Sequence, residues 1–479
     1  MAAQGSVYLL YHFFHPDDVV SARLFSDLAV DLTAAGFDVV AVPSIRSCHG
    51  GSVRLSRGER WAGGQIRRVW RPDWPQHKNW GRFGNTLFML IAWTWLALTH
   101  RRSRNEVMIV GTDPVLAVLV AISWRILRPR SRIIHWCHDL YPDAAVADGM
   151  IADDAWWVRL LRRFLAAAYR RCDVVVDLGL CMRTRLVETL QPASERDATV
   201  SAAIRPKMSR DQETVDDGAA DSGHDWWSGH HATLVPWSLV EPETVVDADP
   251  RVREDLFGDC RLSLLYSGNF GKAHFFDSLL ELARRLRGES IGFCFAGRGL
   301  QLDEVRAAMT VADQNIRFAG FADEADLAAR LAAADIHLVT LRENWTGAVV
   351  PSKFFGALAA GRPVLFAGDP SSAIAGWITR YDIGWVLTAD SLDRIVDSLR
   401  ELAADPSGQA ELRQRCFDVY HAEFSRRVQV SRWCELIAER SADSLDQQPN
   451  MRHDPEPSAG RPGDPPLPLA SDPPPAIRN

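Results

Sequence analysis

Cysteine pairs of the C-x-x-C kind are missing from this chain, although it holds eight cysteines. Without such a pair, neither a zinc site nor a dithiol redox centre is expected. Scattered cysteines in a long chain indicate free thiols in a reducing cytoplasm. An excess of basic residues is also missing, because the net charge is −7. Nucleic-acid binding requires a basic surface, so this charge argues against nucleic acid as a partner.

Long apolar runs are missing too. The run Leu87–Leu98 has twelve residues, whereas a membrane-spanning helix needs about 20. Basic residues at 100–102 and neighbouring tryptophans favour peripheral contact with the inner face of the cell membrane through residues 87–102. A buried helix of a sheet domain is the alternative, and Val115–Leu127 allows the same two interpretations. The apolar residues 6–11 have no charged lead-in, so a cytoplasmic location is expected.

Short apolar strands alternate with helical patterns twice along the chain, which is typical of parallel α/β sheets. In the first half, residues 17–35 predict a helix, and strands are predicted at Val7–Tyr11, Asp38–Val42, Glu106–Val110, Arg132–Trp136, Val174–Asp177 and Thr233–Pro236. In the second half, strands are predicted at Leu262–Ser267, Ile291–Ala296, Ile316–Ala319, Ile336–Leu341 and Pro363–Phe366. The predicted fold class is α/β, with two facing Rossmann-like domains and a cleft between them.

Composition indicates where these parts begin and end. Prolines punctuate a polar linker at 237–255, between one Rossmann-like domain at 1–236 and another at 256–420. Residues 190–232 are rich in Asp, Ser, Ala and Gly, so a disordered insertion is expected there. The proline-rich residues 441–479 are expected to form a disordered tail.

Three segments of the second half combine glycines with basic residues at strand ends. Their candidate phosphate-binding residues are Gly268, Asn269, Gly271, Lys272, Gly297, Arg298, Ser352 and Lys353. Glycines let backbone N–H groups approach phosphate oxygens, and lysine adds a compact positive charge. Ser352 is expected to cap a helix that begins beside Lys353, where free N–H groups attract anions. Alternatively, the segments are a plain tight turn, a solvated arginine and an ordinary helix.

In order and spacing, these motifs resemble the family 4 retaining glycosyltransferases of the GT-B fold, especially the O-antigen and exopolysaccharide branch sometimes called WbuB-like. The resemblance covers residues 5–440 and depends on Leu28–Val39, His138–Pro142, Gly268–His274, Phe295–Gly299, Ile316–Gly320, Ala334–Leu341 and Pro351–Val364. Phe424–Arg426 and Trp433 resemble the terminal helix of this family. The resemblance therefore implies a crossover helix at 421–440 that packs on the N-terminal domain.

The resemblance implies a nucleotide-diphosphate sugar as donor in the C-terminal domain. It implies a glycan or polyprenyl-linked acceptor in the N-terminal domain, used in cell-envelope or exopolysaccharide synthesis. No cofactor and no metal are implied, because basic side chains offset the leaving diphosphate. On this basis the candidate catalytic residues are His138, Lys272 and Lys353. His138 would face the reacting sugar or, alternatively, pair with Asp139.

The chain departs from the resembling family at several positions. Many relatives carry two acidic residues eight positions apart, and these positions are Ala348 and Gly356 here. The arginine and lysine of their phosphate turn correspond to Asn269 and His274, which leaves Lys272 as a shifted cation. The departures keep other functions open: a nucleotide-sugar epimerase of similar form, a phosphorylase, or a non-catalytic nucleotide-sugar-binding protein.

Overall fold

The computed structural model describes residues 5–48, 54–76, 78–101, 103, 105–190 and 230–446. The expected insertion lies outside the described residues from 191 to 229, and the expected tail does so from 447 onwards. The described chain forms two sheets, and each sheet has its own hydrophobic core. This arrangement confirms the predicted α/β fold with two Rossmann-like domains.

The N-terminal sheet contains the strands β1 Ser6–Leu10, β2 Asp38–Ala41, β3 Gly58–Trp61, β4 Gly64–Arg67, β5 Glu106–Val110, β6 Arg132–Trp136, β7 Val174–Asp177 and β8 His230–Thr233. Their order is β3-β4-β2-β1-β5-β6-β7-β8, and β3 is the antiparallel strand of the sheet. The chain leaves β1 toward β2 and later returns to β5 on its other side. The topological switch point, where such sheets bind ligands, therefore lies between β1 and β5.

The helices described in this half are α1 Val20–Ala34, α2 Asn79–Thr99, α3 Val120–Leu127, α4 Asp143–Ala147, α5 Trp156–Tyr169 and α6 Leu180–Leu190. The strands β5, β6 and β7 follow one another in the sheet, so right-handed crossovers place their connecting helices on one face. In agreement, α3 packs against both α2 and α5.

Two features of this sheet differ from the sequence predictions. The last strand is His230–Thr233, so the predicted strand Thr233–Pro236 is wrong by about three residues. Proline has no N–H to donate to a ladder, which explains why pairing stops before Pro236. The predictions also omit the β3–β4 hairpin. Its turn residues Ala62 and Gly63 have positive φ angles, and its four-residue strands are too short to show a clear pattern.

Helix α2 is longer than the apolar run from which it was predicted. One side buries Met89, Trp93 and Ala97 in the core, while the opposite side is exposed. The expectation of a buried helix therefore holds for one side of α2 only, and α3 buries Val120, Ala121 and Trp124 while Ile126 is exposed. Among the described residues, no helix combines the length and the hydropathy that crossing a bilayer requires.

The C-terminal sheet is wholly parallel and contains β9 Leu262–Asn269, β10 Ile291–Arg298, β11 Ile316–Ala319, β12 Ile336–Thr340, β13 Val364–Ala367 and β14 Gly384–Leu387. Its order is β11-β10-β9-β12-β13-β14, so the switch point lies between β9 and β12. Its helices are α7 Pro250–Phe257, α8 Asp277–Arg285, α9 Leu302–Ala307, α10 Glu324–Ala333, α11 Lys353–Ala359, α12 Ala373–Tyr381, α13 Leu392–Ala404 and α14 Pro406–Val419.

The connection between the two sheets is less extended than the expected linker at 237–255. Helix α7 already begins at Pro250, because proline suits the first helical position and Asp249 caps the helix. The Asp249 carboxylate accepts a hydrogen bond of 2.8 Å from the backbone N–H of Arg251. The polar part of the connection is therefore limited to the residues before Asp249.

The last described elements are a π turn, Tyr420–Phe424, and α15, Arg426–Asp446. At the start of α15, the guanidinium of Arg426 lies 2.7 Å from Asp31 and 3.0 Å from Asp27, which both belong to α1. Farther along, the buried ring of Trp433 packs against Trp136 with centroids 5.1 Å apart. The first part of α15 thus completes the core of the N-terminal sheet.

Candidate active site

The glycine turns predicted from the sequence lie side by side at the carboxyl edge of the C-terminal sheet. Gly268 at the end of β9 pairs with Gly297 at the end of β10. Their φ angles are 141° and 154°, values that favour glycine. The backbone N–H of Phe270 donates to the carbonyl of Arg298 at 2.8 Å and holds the two turns together. Gly268 is half-buried and Gly297 is buried, so the two turns pack closely on each other.

Lys353 is the cation that the structure brings to this edge. A Cβ atom at Gly268 would lie 2.5 Å from the Cε atom of Lys353, so glycine makes room for the lysine. The ammonium lies 5.2 Å from the ring centroid of Tyr266. Burial lowers the pKa of Lys353 to about 8. No carboxylate pairs with Lys353 among the described residues, so an anionic ligand would supply the missing countercharge.

His274 orients this lysine. Its Nδ1 atom is 2.6 Å from the carbonyl oxygen of Thr340, so Nδ1 must carry the proton and donate it. Burial and the nearby Lys353 cation lower the pKa of His274 to about 4, which keeps the ring neutral. The Nε2 atom then accepts a hydrogen bond of 3.2 Å from the Lys353 ammonium. Because Thr340 ends β12, this chain of contacts bridges the switch point.

Lys272 is not part of the same cluster. Its side chain is half exposed, and its ammonium lies 3.1 Å from the Asp148 carboxylate of the other half. Arg298 is exposed and stacks over the ring of Phe321 at 4.3 Å. Asn269 and Gly271 follow Gly268 in the same turn, and Asn269 is exposed. The structure thus brings Lys353 and the glycines together and leaves Lys272 in an ion pair.

Ser352 precedes α11, but the capping prediction for its side chain is wrong. The residue has helical backbone angles, and its hydroxyl makes no capping hydrogen bond. A side-chain cap requires an extended residue at this position, which explains the difference. Ser352 instead lines a cavity of about 150 Å³ together with Lys353, Gly356 and Trp237. A side chain at Gly356 would project beside Leu331 with ordinary contact distances, so the missing carboxylate leaves open space there.

On the N-terminal sheet, His138 follows the carboxyl end of β6. Both ring nitrogens are buried and have no hydrogen-bond partner among the described residues. The ring packs against Trp136, with centroids 4.4 Å apart, and meets Phe25 edge-on. Burial lowers the pKa of His138 to about 3, so the ring is neutral. The alternative pairing of His138 with Asp139 is not formed.

Three further polar side chains at this edge, His12, Asp113 and Asp139, were not predicted as site residues from the sequence. At the switch point, Nδ1 of His12 lies 3.1 Å from the Asp113 carboxylate. Burial and the Asp113 charge raise the pKa of Asp139 to about 6. A carboxyl with a raised pKa in a cleft is a common feature of functional sites. Each residue follows a buried strand at its carboxyl end, and that position is the signal that could have identified them.

The two edges meet directly through backbone groups. The N–H of Leu140 donates to the carbonyl of Ala348 at 2.8 Å, and Asp139 forms an isolated antiparallel bridge with Val349. The Asn344 amide donates to the carbonyl of Ala147 at 3.0 Å. Ala348, one of the two positions that lack a carboxylate, therefore lies next to Asp139 in the cleft.

Metal ligation has no visible basis at this site. Within the described ranges, no group of three or more His, Cys, Asp or Glu side chains is arranged to hold a metal ion. The C-terminal edge contributes the largely buried ammonium of Lys353. The other edge contributes neutral imidazole and carboxyl groups.

Comparison with known proteins agrees with this geometry. Residues 254–418 match the family "Glycosyl transferases group 1". The chain is 26% identical to the probable glycosyltransferase WbjE of Pseudomonas aeruginosa over 317 residues, which are 64% of this chain and 68% of WbjE. It is also 26% identical to the putative colanic acid biosynthesis glycosyl transferase WcaI of Escherichia coli (strain K12) over 185 residues, 37% of this chain and 45% of WcaI.

Solved structures share the fold at low sequence identity. Sucrose-phosphate synthase of Thermosynechococcus elongatus superposes with a TM-score of 0.60 at 13% identity, covering 92% of this chain and 100% of that one. Anabaena HepE in complex with UDP-glucose superposes with a TM-score of 0.54 at 10% identity, covering 92% and 99%. Residues 254–418 thus form a group 1 glycosyl transferase domain, and the chain is a glycosyltransferase with the GT-B fold.

Proposed function

We propose that this protein transfers a sugar from a nucleotide-diphosphate sugar to a glycan or lipid-linked acceptor in cell-envelope or exopolysaccharide synthesis. The observation that carries the proposal is Lys353, a largely buried ammonium that pairs with no carboxylate among the described residues and lies against the Gly268 turn. Such a site requires an anion, and a diphosphate provides one. In support, HepE, a protein of similar fold, binds UDP-glucose.

In this proposal the C-terminal domain, residues 256–420, holds the donor. Lys353 contacts the diphosphate, and backbone N–H groups after Gly268 and Gly297 supply further donors. His274 keeps the ammonium in place because its neutral Nε2 atom accepts from it. Helix α11 has only seven residues, so most of the countercharge is assigned to Lys353 and little to a helix dipole.

The nucleoside side of the donor would meet the cavity beside Gly356. With about 150 Å³ it is smaller than the ~300–1,000 Å³ of typical ligand pockets, so it would take only part of a nucleotide. Without a carboxylate at position 356, a ribose would be held there by shape and by the Ser352 hydroxyl. We therefore expect tighter recognition of the diphosphate than of the ribose.

The acceptor would bind to the N-terminal domain, residues 1–236, with His138 facing the transferred sugar. We infer a retaining transfer of the O-antigen and exopolysaccharide type. The bond from the anomeric carbon to the donor phosphate breaks, and the acceptor hydroxyl attacks from the same face. The leaving phosphate oxygen takes the hydroxyl proton. No metal or other cofactor takes part, since Lys353 offsets the charge that develops on the diphosphate.

This role places the protein in the cytoplasm, with peripheral contact to the inner face of the cell membrane where a polyprenyl-linked acceptor is found. Lys272 would act from the rim of the cleft, where it now pairs with Asp148. A donor phosphate that reaches Lys272 would have to displace the Asp148 carboxylate, so its contribution should be smaller than that of Lys353.

The test is incubation of the full chain with radiolabelled UDP-, GDP- and dTDP-sugars and a lipid extract that contains polyprenyl phosphates. We expect one donor to label the lipid fraction, and NMR of the product to show the anomeric configuration of the donor. Interconversion of the sugar without an acceptor would indicate an epimerase. Donor binding without transfer or hydrolysis would indicate a non-catalytic binder, and either result would overturn the proposal.

A further inference from the structure

Helix α2 is apolar on both sides. Its inner side packs into the core through Met89, Trp93 and Ala97, as a sheet-covering helix should. Its outer side also consists of large apolar residues: Trp80, Phe83, Leu87, Ile91, Trp95 and Leu98. They recur every three or four positions and are 48–65% exposed. At 1.5 Å per residue, this apolar stripe is about 27 Å long.

Helix α5 continues the exposed apolar surface. Its outer side carries Trp156, Trp157, Leu160 and Phe164, and Trp156 is 71% exposed. Helix α3 lies between α2 and α5 and adds the exposed Ile126. Thr94 of α2 and Ser123 of α3 are joined by a hydrogen bond of 2.8 Å, which fixes the two helices side by side. We call the exposed residues of α2 and α5 given above the α2–α5 face.

This amount of exposed apolar surface is unusual. Scattered apolar side chains occur on every protein surface, but a contiguous patch of large ones marks an interaction site. A helix that is apolar all round is normally buried or in contact with lipid. Tryptophans occupy both ends of the α2 stripe, at Trp80 and Trp95, and the start of α5 at Trp156. Tryptophan is enriched at the boundary between water and hydrocarbon.

The charge around the face is positive although the chain as a whole is acidic. Residues 73–106, 113–139 and 153–173 hold fourteen Lys and Arg against seven Asp and Glu, whereas the net charge of the chain is −7. Some of these arginines are engaged, such as Arg128 with Glu106. On the helices themselves, Arg159 and Arg163 are exposed and have no ion-pair partner among the described residues.

We propose that the α2–α5 face docks the protein on an anionic lipid bilayer, with α2 and α5 lying in the plane of the interface. Apolar side chains would enter the acyl boundary, and Arg159 and Arg163 would contact the lipid phosphates. A second copy of the chain fits less well, because a two-fold interface would bring the same arginines face to face. The inference extends the proposed function, since it names the surface that carries the enzyme to a lipid-linked acceptor.

The experiment measures co-sedimentation of the full chain with vesicles of equal parts phosphatidylglycerol and phosphatidylcholine. We expect binding to these vesicles, and much weaker binding to pure phosphatidylcholine. The double variant Ile91→Ser/Trp95→Ser should lose at least about tenfold in partitioning. Leu300→Ser/Val311→Ser, at exposed apolar positions of the other half, is the matched control and should bind like the unmodified chain.

Charge reversal tests the electrostatic contribution to vesicle binding. Arg159→Glu/Arg163→Glu should reduce binding to anionic vesicles about tenfold or more. Arg251→Glu/Arg394→Glu, on exposed arginines of the C-terminal half, should leave it unchanged. Nucleoside diphosphate binding, measured on every variant, should also be unchanged, so a folding defect is recognised.

Equal vesicle binding by the unmodified chain and the α2 variant would overturn the proposal. Sedimentation equilibrium measures the oligomeric state and so tests whether a second copy of the chain covers the face instead. A dimer that becomes monomeric in the α2 variant, without vesicle binding, would show that a second copy covers the face. A monomer without vesicle binding would show that no bilayer docks there. Vesicle binding requires no turnover, so a failed glycosyl transfer assay would not contradict the docking proposal. Likewise, absence of vesicle binding would not contradict the proposed transfer.

Discussion

The carboxyl edges of the two sheets face one cleft with opposite chemistry. On the C-terminal edge, Lys353 is a cation that pairs with no carboxylate of the described ranges. On the N-terminal edge, Asp113 and Asp139 are carboxyls beside the neutral His138. Burial acts on both edges in the direction that disfavours charge: it lowers the pKa of Lys353 to about 8 and raises that of Asp139 to about 6. One edge is therefore prepared for an anion, and the other for a neutral, hydrogen-bonding ligand.

The largest expected effect comes from removing the cation. Lys353→Met should lower kcat/KM about 10²–10³-fold and weaken nucleoside diphosphate binding by about 1–3 kcal/mol, because a charge-assisted contact to the leaving group is lost. Steady-state kinetics and calorimetric titration measure the two effects. The melting temperature should not fall, since the lysine forms no ion pair with any residue that the structure describes. Lys272→Met is the matched control, and an equal loss there would remove the distinction between the two lysines.

The substitution His138→Phe should impair only the contribution of the N-terminal edge to sugar transfer. The substitution keeps a planar ring among Trp136 and Phe25 and removes two nitrogens that bond to no described residue, so folding should be unaffected. We expect transfer to slow about 10–100-fold, as for loss of one polar contact to the reacting sugar. Nucleoside diphosphate affinity should be unchanged. A purely structural histidine would leave the transfer rate as it was, and that outcome would exclude His138 from the site.

The pH dependence of kcat/KM should report both edges. Below pH about 8 the Lys353 ammonium is protonated and binds the diphosphate, and this affinity is lost as pH rises through about 8. Asp139 becomes ionised as pH rises through about 6. If both charged forms are required, activity should be bell-shaped with a plateau between these values. Lys353→Met should abolish the alkaline decline in diphosphate affinity. If the decline persists in that variant, another group causes it.

The smallest effect is expected at Gly356. A methyl group there meets only Leu331 and Ser238, at 3.8 and 3.9 Å, and glycine within a helix is less stable than alanine. Gly356→Ala should therefore raise the free energy of unfolding by about 0.5–1 kcal/mol, as measured by urea denaturation. Diphosphate affinity should remain the same. A marked fall in affinity would show that the donor needs the space beside Gly356.

The fold could be predicted from the sequence because its buried strands and its turns have recognisable local patterns. Buried parallel strands such as β5 and β13 consist almost entirely of apolar residues, and the glycine at position 268 marks a turn that favours glycine. The β3–β4 hairpin escaped prediction because its strands are four residues long and partly charged. Segments this short carry little periodicity, so only pairing with β2 defines them.

The composition of the site was harder to predict than its position. Lys353 and Lys272 look alike in sequence, because each follows a glycine or serine at a strand or helix end. Only the folded chain shows that Lys272 pairs with Asp148 while Lys353 meets His274. The position of Asp113 and Asp139 in the site could not be predicted from the sequence either, since it depends on which strands become neighbours. Long-range pairing, and not local pattern, decides these roles.

The contact between Leu140 and Ala348 limits how the two halves can move. It joins the backbone N–H of Leu140 to the backbone carbonyl of Ala348, and both residues are fully buried. Any motion that widens the cleft there must first break this bond, together with the Asp139–Val349 bridge. The junction therefore fixes how far apart the two carboxyl edges lie at this point of the cleft.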